Sequence, residues 1–242
     1  MANDLLLEAR GLGKSFGALR VLHDISFDVR AGEVLGILGP NGAGKTTLFN
    51  LVSGDIRVDN GELSFAGNRL VGQPPYRRCQ MGIGRTYQIP RPYVGMTTFE
   101  NLLVAASFGG GRSEAACYAR CAEILRDCEL ADKANRPAGS LTLLDRKRLE
   151  LARALASGPK LLLLDEIAGG LTEGECRALV DTIRGVHAKG IAVIWIEHVL
   201  HALNSVVERL LVLHFGKVIG IGRPDDIMAS RDVREIYLGI EI

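Results

Sequence analysis

The chain has 242 residues, room for one large domain or two lobes, and 47% of them are apolar, enough for a sizeable core. Lys plus Arg number 29 against 28 acidic residues, and the resulting charge of +1 with only 5% aromatics gives no case for a nucleic-acid surface. No run approaches the roughly 20 apolar residues that cross a bilayer, and Met1-Ala2-Asn3-Asp4 lacks a basic leader, so no signal peptide is expected. Cys79, Cys117, Cys121, Cys128 and Cys176 form no C-x-x-C pair, and an odd number suits core thiols better than a disulfide framework. Cys117 and Cys121 share a helical face, but no His or Cys stands near to complete a metal site.

Leu5–Ala9 and Ile25–Val29 read as short strands, with a turn at Lys14-Ser15-Phe16-Gly17 between them. Val34-Leu35-Gly36-Ile37-Leu38 is a buried strand, followed by Gly39-Pro40-Asn41-Gly42-Ala43-Gly44-Lys45-Thr46 and the helical pattern Thr47–Val52. Strand, glycine-rich turn and helix is the context of a phosphate-binding loop. Gly39, Gly42 and Gly44 let the backbone curl so that several N–H groups point at one spot at a helix N-terminus, which favours an anion. Lys45 adds a charge for the β- and γ-phosphates, and Thr46 a hydroxyl for Mg²⁺. The loop therefore predicts a nucleoside triphosphate site.

Glu62–Phe65 reads as a further strand, Gln73-Pro74-Pro75 opens a helix, and Ile83–Tyr87 is a strand ending at Gln88. Helical patterns at Phe99–Ser107, Ser113–Glu129 and Arg146–Ser157 predict a helical lobe over 88–157, inserted between α/β segments at 1–87 and 158–242. Leu161–Leu164 and Ile191–Ile196 are buried strands flanking a helix at Glu173–Lys189, the pattern of a parallel sheet. Leu210–Leu213 and Lys217–Ile221 are two last short strands before a helical tail.

Asp165-Glu166 closes the four-leucine strand, where ligands bind in open α/β sheets. Asp165 is expected on Mg²⁺, and Glu166 as the group that polarises an attacking water. His198, after the second buried strand, is placed to hydrogen-bond a γ-phosphate, and Gln88 to touch Mg²⁺ or water and report nucleotide state to the helical lobe.

Taken together, these residues resemble an ATP-binding-cassette (ABC) ATPase along the whole chain. The resemblance implies an α/β fold with a parallel-sheet phosphate-loop core, an antiparallel β subdomain and an inserted helical subdomain. It implies that Gly39 to Thr46 with Thr47 bind the nucleotide as the Walker A loop, with ATP and Mg²⁺ as ligands. Gln88 matches the Q-loop glutamine, Asp165 the Walker B aspartate, Glu166 the catalytic glutamate and His198 the switch histidine, while Phe16 falls where the family stacks an aromatic on adenine. Family members hydrolyse ATP between two cassettes, each completing the other's site with an LSGGQ signature. Here that stretch reads Leu141-Thr142-Leu143-Leu144-Asp145, with both glycines and the glutamine replaced; Ile167 stands for the usual proline, and Gly170-Leu171-Thr172 departs from the family's D-loop.

Arg85-Thr86-Tyr87-Gln88-Ile89-Pro90-Arg91-Pro92, Met96-Thr97-Thr98-Phe99-Glu100-Asn101-Leu102-Leu103 and Val233-Arg234-Glu235-Ile236-Tyr237-Leu238-Gly239 are similar to the branched-chain amino-acid importers. That likeness implies a peripheral ATPase on the cytoplasmic face of the membrane, a second and different cassette chain, two permease subunits and, indirectly, a periplasmic binding protein. Urea and short amides are alternative cargoes, and a non-hydrolysing regulatory cassette is an alternative role. Tandem cassettes or a basic surface, expected of an ATPase acting on DNA or ribosomes, are missing, and the Asp165-Glu166 pair suits water attack better than phosphoryl transfer to a small molecule.

Overall fold

The first two strands run longer than their apolar alternation predicts. In the computed structural model, which describes residues 5–111, 113–198, 203 and 206–238, β1 spans Leu5–Phe16 and β2 spans Leu19–Arg30. The reason is local: Gly11 takes φ 61° and the ladder shifts register between Ala9 and Leu12. Glycine there makes a bulge, not an end, and the ladder resumes with Leu12 opposite Ile25.

Two compact units emerge, residues 1–75 with 194–242, and residues 76–193. In the first, β1 also pairs antiparallel with β4 (Asn60–Phe65), and β4 with β5 (Asn68–Arg69), giving a four-stranded sheet of order β2-β1-β4-β5. β3 (Val34–Leu38) lies parallel to β9 (Arg209–His214), with Leu35 opposite Arg209, and β9 turns back antiparallel into β10 (Lys217–Gly222). All five β3 residues are buried, as a parallel strand covered on both faces requires. α1 (Lys45–Ser53) buries Leu48, Phe49, Leu51 and Val52, each contributing roughly 1.5–3 kcal/mol by leaving water. Short helices at Pro224–Ala229 and Arg231–Leu238 follow; Gly239 lies outside the described residues.

The second unit begins with α2 (Pro75–Met81) and β6 (Ile83–Arg85), which runs parallel to β7 (Leu161–Asp165) with Ile83 opposite Leu161. α3 (Thr98–Val104), a π-helical turn at Ala105–Gly109, α4 (Glu114–Asp127) and α5 (Leu143–Ala156) pack on one another. α3 starts in a capping box, Thr97 with Glu100. Asn101, fully buried, holds the approach to it: Oδ1 accepts the Tyr93 N–H at 2.8 Å, and Nδ2 donates to the carbonyls of Tyr93 and Thr97 at 3.1 and 2.9 Å. α6 (Glu173–His187) and the start of β8 (Ala192–Ile196) complete the unit. Helices and strands fall close to where the sequence puts them, with parallel and antiparallel pairing both present.

Cys117, Cys121, Cys128 and Cys176 are buried, and burial pushes the Cys121 thiol up to about 11 and that of Cys128 up to about 12. Both stay protonated and unreactive near neutral pH. Among the described residues, no group of three or more His, Cys, Asp and Glu could hold a metal ion, and no helix is long and apolar enough to cross a membrane.

Candidate nucleotide site

The phosphate loop is built by three constraints, one within the loop and two from β9 and the turn that follows it. Gly42 and Gly44 adopt φ 80° and 103°, angles that an L side chain resists. Gly39 lies against β9 so closely that a Cβ would meet the Leu213 carbonyl oxygen at 2.5 Å. The Ala43 carbonyl accepts the Gly216 N–H at 3.1 Å, which ties the loop to the turn between β9 and β10. α1 then starts at Lys45 with Gly44 as its N-cap and no side chain capping it. Its first N–H groups are the kind of donors an anion takes up. Lys45 is buried, and its Nζ donates to the carbonyls of Gly39 at 2.6 Å and Pro40 at 3.1 Å. Asn41, Gly42 and Thr46 are exposed and Thr47 is half-buried. Phe16, at the end of β1, is 50% exposed with the Lys14 ammonium 5.4 Å over its ring.

A methyl group at Gly44 would come within 2.6 Å of Leu22 Cδ2 as well as straining the backbone. Gly44→Ala is expected to cost about 1–3 kcal/mol and to abolish the rise in melting temperature that ATP gives the parent chain, both read from thermal melts with and without ATP.

In the second unit, Asp165 ends β7 as a buried carboxylate. Arg85 Nη2 donates to its Oδ2 at 3.2 Å, and its own N–H donates to Thr86 Oγ1 at 3.2 Å. Glu166 follows in the left-handed region, φ 44°. The Gln88 amide donates to Glu166 Oε2 at 2.5 Å, and Lys147 Nζ donates to the carbonyls of Gln88 at 2.7 Å and Glu166 at 3.4 Å. The fold thus brings Gln88, Asp165 and Glu166 to one place. His198 lies exposed just beyond β8, with buried Glu197 between.

The departing signature also takes a definite form. Leu141 is buried, and Thr142 caps α5 by accepting the Asp145 N–H at 3.3 Å. Asp145 turns inward, 4% exposed, where Lys133 Nζ donates to it at 2.8 Å. Its carboxylate lies in the first turn of α5 but is paired with Lys133 within the fold. Leu143 stays 45% exposed, and a Cβ on Gly170 would sit 3.4 Å from its Cδ2.

Arg85 and Lys147 escaped the reading of the sequence. Arg85 stands in Arg85-Thr86-Tyr87-Gln88 beside the glutamine that drew attention, and nothing in the string ties it to a carboxylate eighty residues away. Lys147 hides in the basic run Arg146-Lys147-Arg148, which reads as a solvated face. Its helical phase was the available signal: it lies three residues after Leu144 and four before the buried Leu151, on the apolar side of α5.

Comparison with known proteins identifies the family. A family model described as ABC transporter matches residues 22–169. The high-affinity branched-chain amino acid transport ATP-binding protein BraF of Pseudomonas aeruginosa is 34% identical over 251 residues, covering 97% of this chain and 98% of that protein. The lipopolysaccharide export system ATP-binding protein LptB of Acidithiobacillus ferridurans is 35% identical over 234 residues, covering 97% of each. Among solved structures, the ADP conformation of an ATP-binding cassette of an ABC transporter superposes with TM-score 0.88 at 30% identity, over 98% of this chain and 99% of that one. ATPases of this kind bind nucleotide and work with the membrane-embedded components of a transporter. The chain belongs to the ABC transporter ATP-binding family, and it is an ATPase subunit with the α/β cassette fold of that family.

Proposed function

We propose that this cassette powers import of branched-chain or other amino acids. In this reading it sits on the cytoplasmic face of the membrane through two permease subunits, paired with a second, different cassette and fed by a periplasmic binding protein. The observation that carries it is the likeness to BraF along nearly the full length of both chains. The likeness to LptB favours export as a second reading.

Each site residue then has a chemical task. The N–H groups of Gly39 to Thr47 and the Lys45 ammonium neutralise the phosphates of ATP, and Phe16 stacks on its adenine. Water attacks the γ-phosphorus, the bond to the β–γ bridging oxygen breaks, and ADP leaves with that electron pair. Glu166 takes the proton of the attacking water, oriented by the Gln88 amide on its carboxylate. His198 donates to the γ-phosphate. Thr46, Gln88 and Asp165 offer hydroxyl, amide and carboxylate oxygens, the donor chemistry that Mg²⁺ prefers, and the ion supplies charge neutralisation on the phosphates. We assign residues 88–157 to the inserted helical lobe.

The altered signature supports the unlike partner. A branched side chain at Leu143, the first residue of α5, keeps backbone from approaching a phosphate as a glycine would, so the site that this chain completes for its partner is the weak one. Membrane vesicles holding both cassettes and the permeases test the whole proposal. ATP-driven uptake of labelled leucine, isoleucine and valine is expected, with turnover at least about tenfold above that of this chain alone. Uptake of urea or amides only, ATP-driven lipid extraction instead of uptake, or equal turnover by the lone chain would each refute a stated part.

A further inference from the structure

Lys147 is 3% exposed. A lysine ammonium is rarely taken out of water unless its hydrogen bonds are used. Here Nζ donates to two backbone carbonyls, that of Gln88 at 2.7 Å and that of Glu166 at 3.4 Å, and these are the two residues whose side chains bond to each other. Glu166 needs such support. Its φ of 44° is one that only glycine and a few polar residues adopt readily, and among the groups holding its carbonyl is the Gly169 N–H at 3.2 Å. Lys147 reaches both carbonyls from α5, the helix that Thr142 caps and whose first turn carries the altered signature.

We propose that Lys147 is a positioning residue for hydrolysis. It holds the backbones of Gln88 and Glu166 at the separation that their side-chain hydrogen bond requires, and so fastens the signature helix to the carboxylate that activates water. The inference rests on Glu166 being that carboxylate.

The test measures kcat and KM for ATP in the assembled transporter, together with ATP affinity and melting temperature of the full chain, for Lys147→Met, Lys147→Gln and Glu166→Gln. Loss of a charged donor predicts that Lys147→Met lowers kcat about 10- to 100-fold, with KM and ATP affinity within about twofold of the parent. Lys147→Gln keeps N–H donors and is expected to recover part of the loss. A merely structural lysine would move melting temperature and affinity without separating kcat from KM. Parent-like kcat in Lys147→Met, beside an inactive Glu166→Gln, overturns the inference. Parent-like turnover in Glu166→Gln overturns instead the reading beneath it. If Lys147→Met does not fold, Lys147→Gln decides: a lower kcat at unchanged KM supports the role, and a parallel loss or no loss overturns it.

Discussion

Glu166→Gln is expected to lower kcat for ATP hydrolysis by about 10²- to 10⁴-fold, the usual contribution of a positioned general base, while ATP still binds. The substitution keeps the size of the side chain and removes its basic oxygen. An amide oxygen still accepts from Gln88, so the local geometry survives and the loss is one of proton transfer. Hydrolysis by the assembled transporter and ATP binding to the full chain, measured side by side, check this. Unchanged turnover would make the cassette a nucleotide-held regulator of its partner, while loss of turnover together with loss of binding would mean a damaged fold.

The second large effect concerns stability. Arg85 and Asp165 form a buried ion pair, their side chains 7% and 6% exposed. Removing one member of such a pair leaves a buried charge poorly compensated, which costs about 3–5 kcal/mol. Arg85→Met is expected to fall at the lower end, since the Thr86 hydroxyl still braces the Asp165 backbone at 3.2 Å. Urea denaturation measures it, and Asp165→Asn in the same chain should return most of the loss, a coupling that a double-mutant cycle isolates. A cost below about 1 kcal/mol for Arg85→Met would show that this pair does not anchor the end of β7.

What could be read from the sequence divides along physical lines. Gly39 to Thr46 and Asp165-Glu166 were legible because their chemistry is local: a phosphate loop needs contiguous glycines and a lysine, and a strand-end carboxylate follows its own apolar strand. The π-helical turn at Ala105–Gly109 was not, since the apolar spacing of Phe99–Ser107 fits an α-helix equally well. Asp145 shows the sharper limit. An aspartate at a signature position places negative charge where a phosphate is expected, and only the fold reveals that Lys133, twelve residues earlier, draws it inward. Arg85 and Lys147 belong to the same class, long side chains whose partners are set by strand and helix placement and not by spacing along the chain.

Gly216 has a consequence for the order in which this molecule is made. Its N–H bonds the Ala43 carbonyl, its carbonyl accepts the His23 N–H at 2.8 Å, and a Cβ there would meet the Val21 carbonyl oxygen at 2.0 Å. The phosphate loop is thus braced by a residue that the ribosome adds long after Lys45. At about 5–20 residues per second, roughly ten to thirty seconds separate translation of the loop from translation of its brace. The nascent chain therefore carries its phosphate-binding residues through most of synthesis before the backbone that braces them has been made.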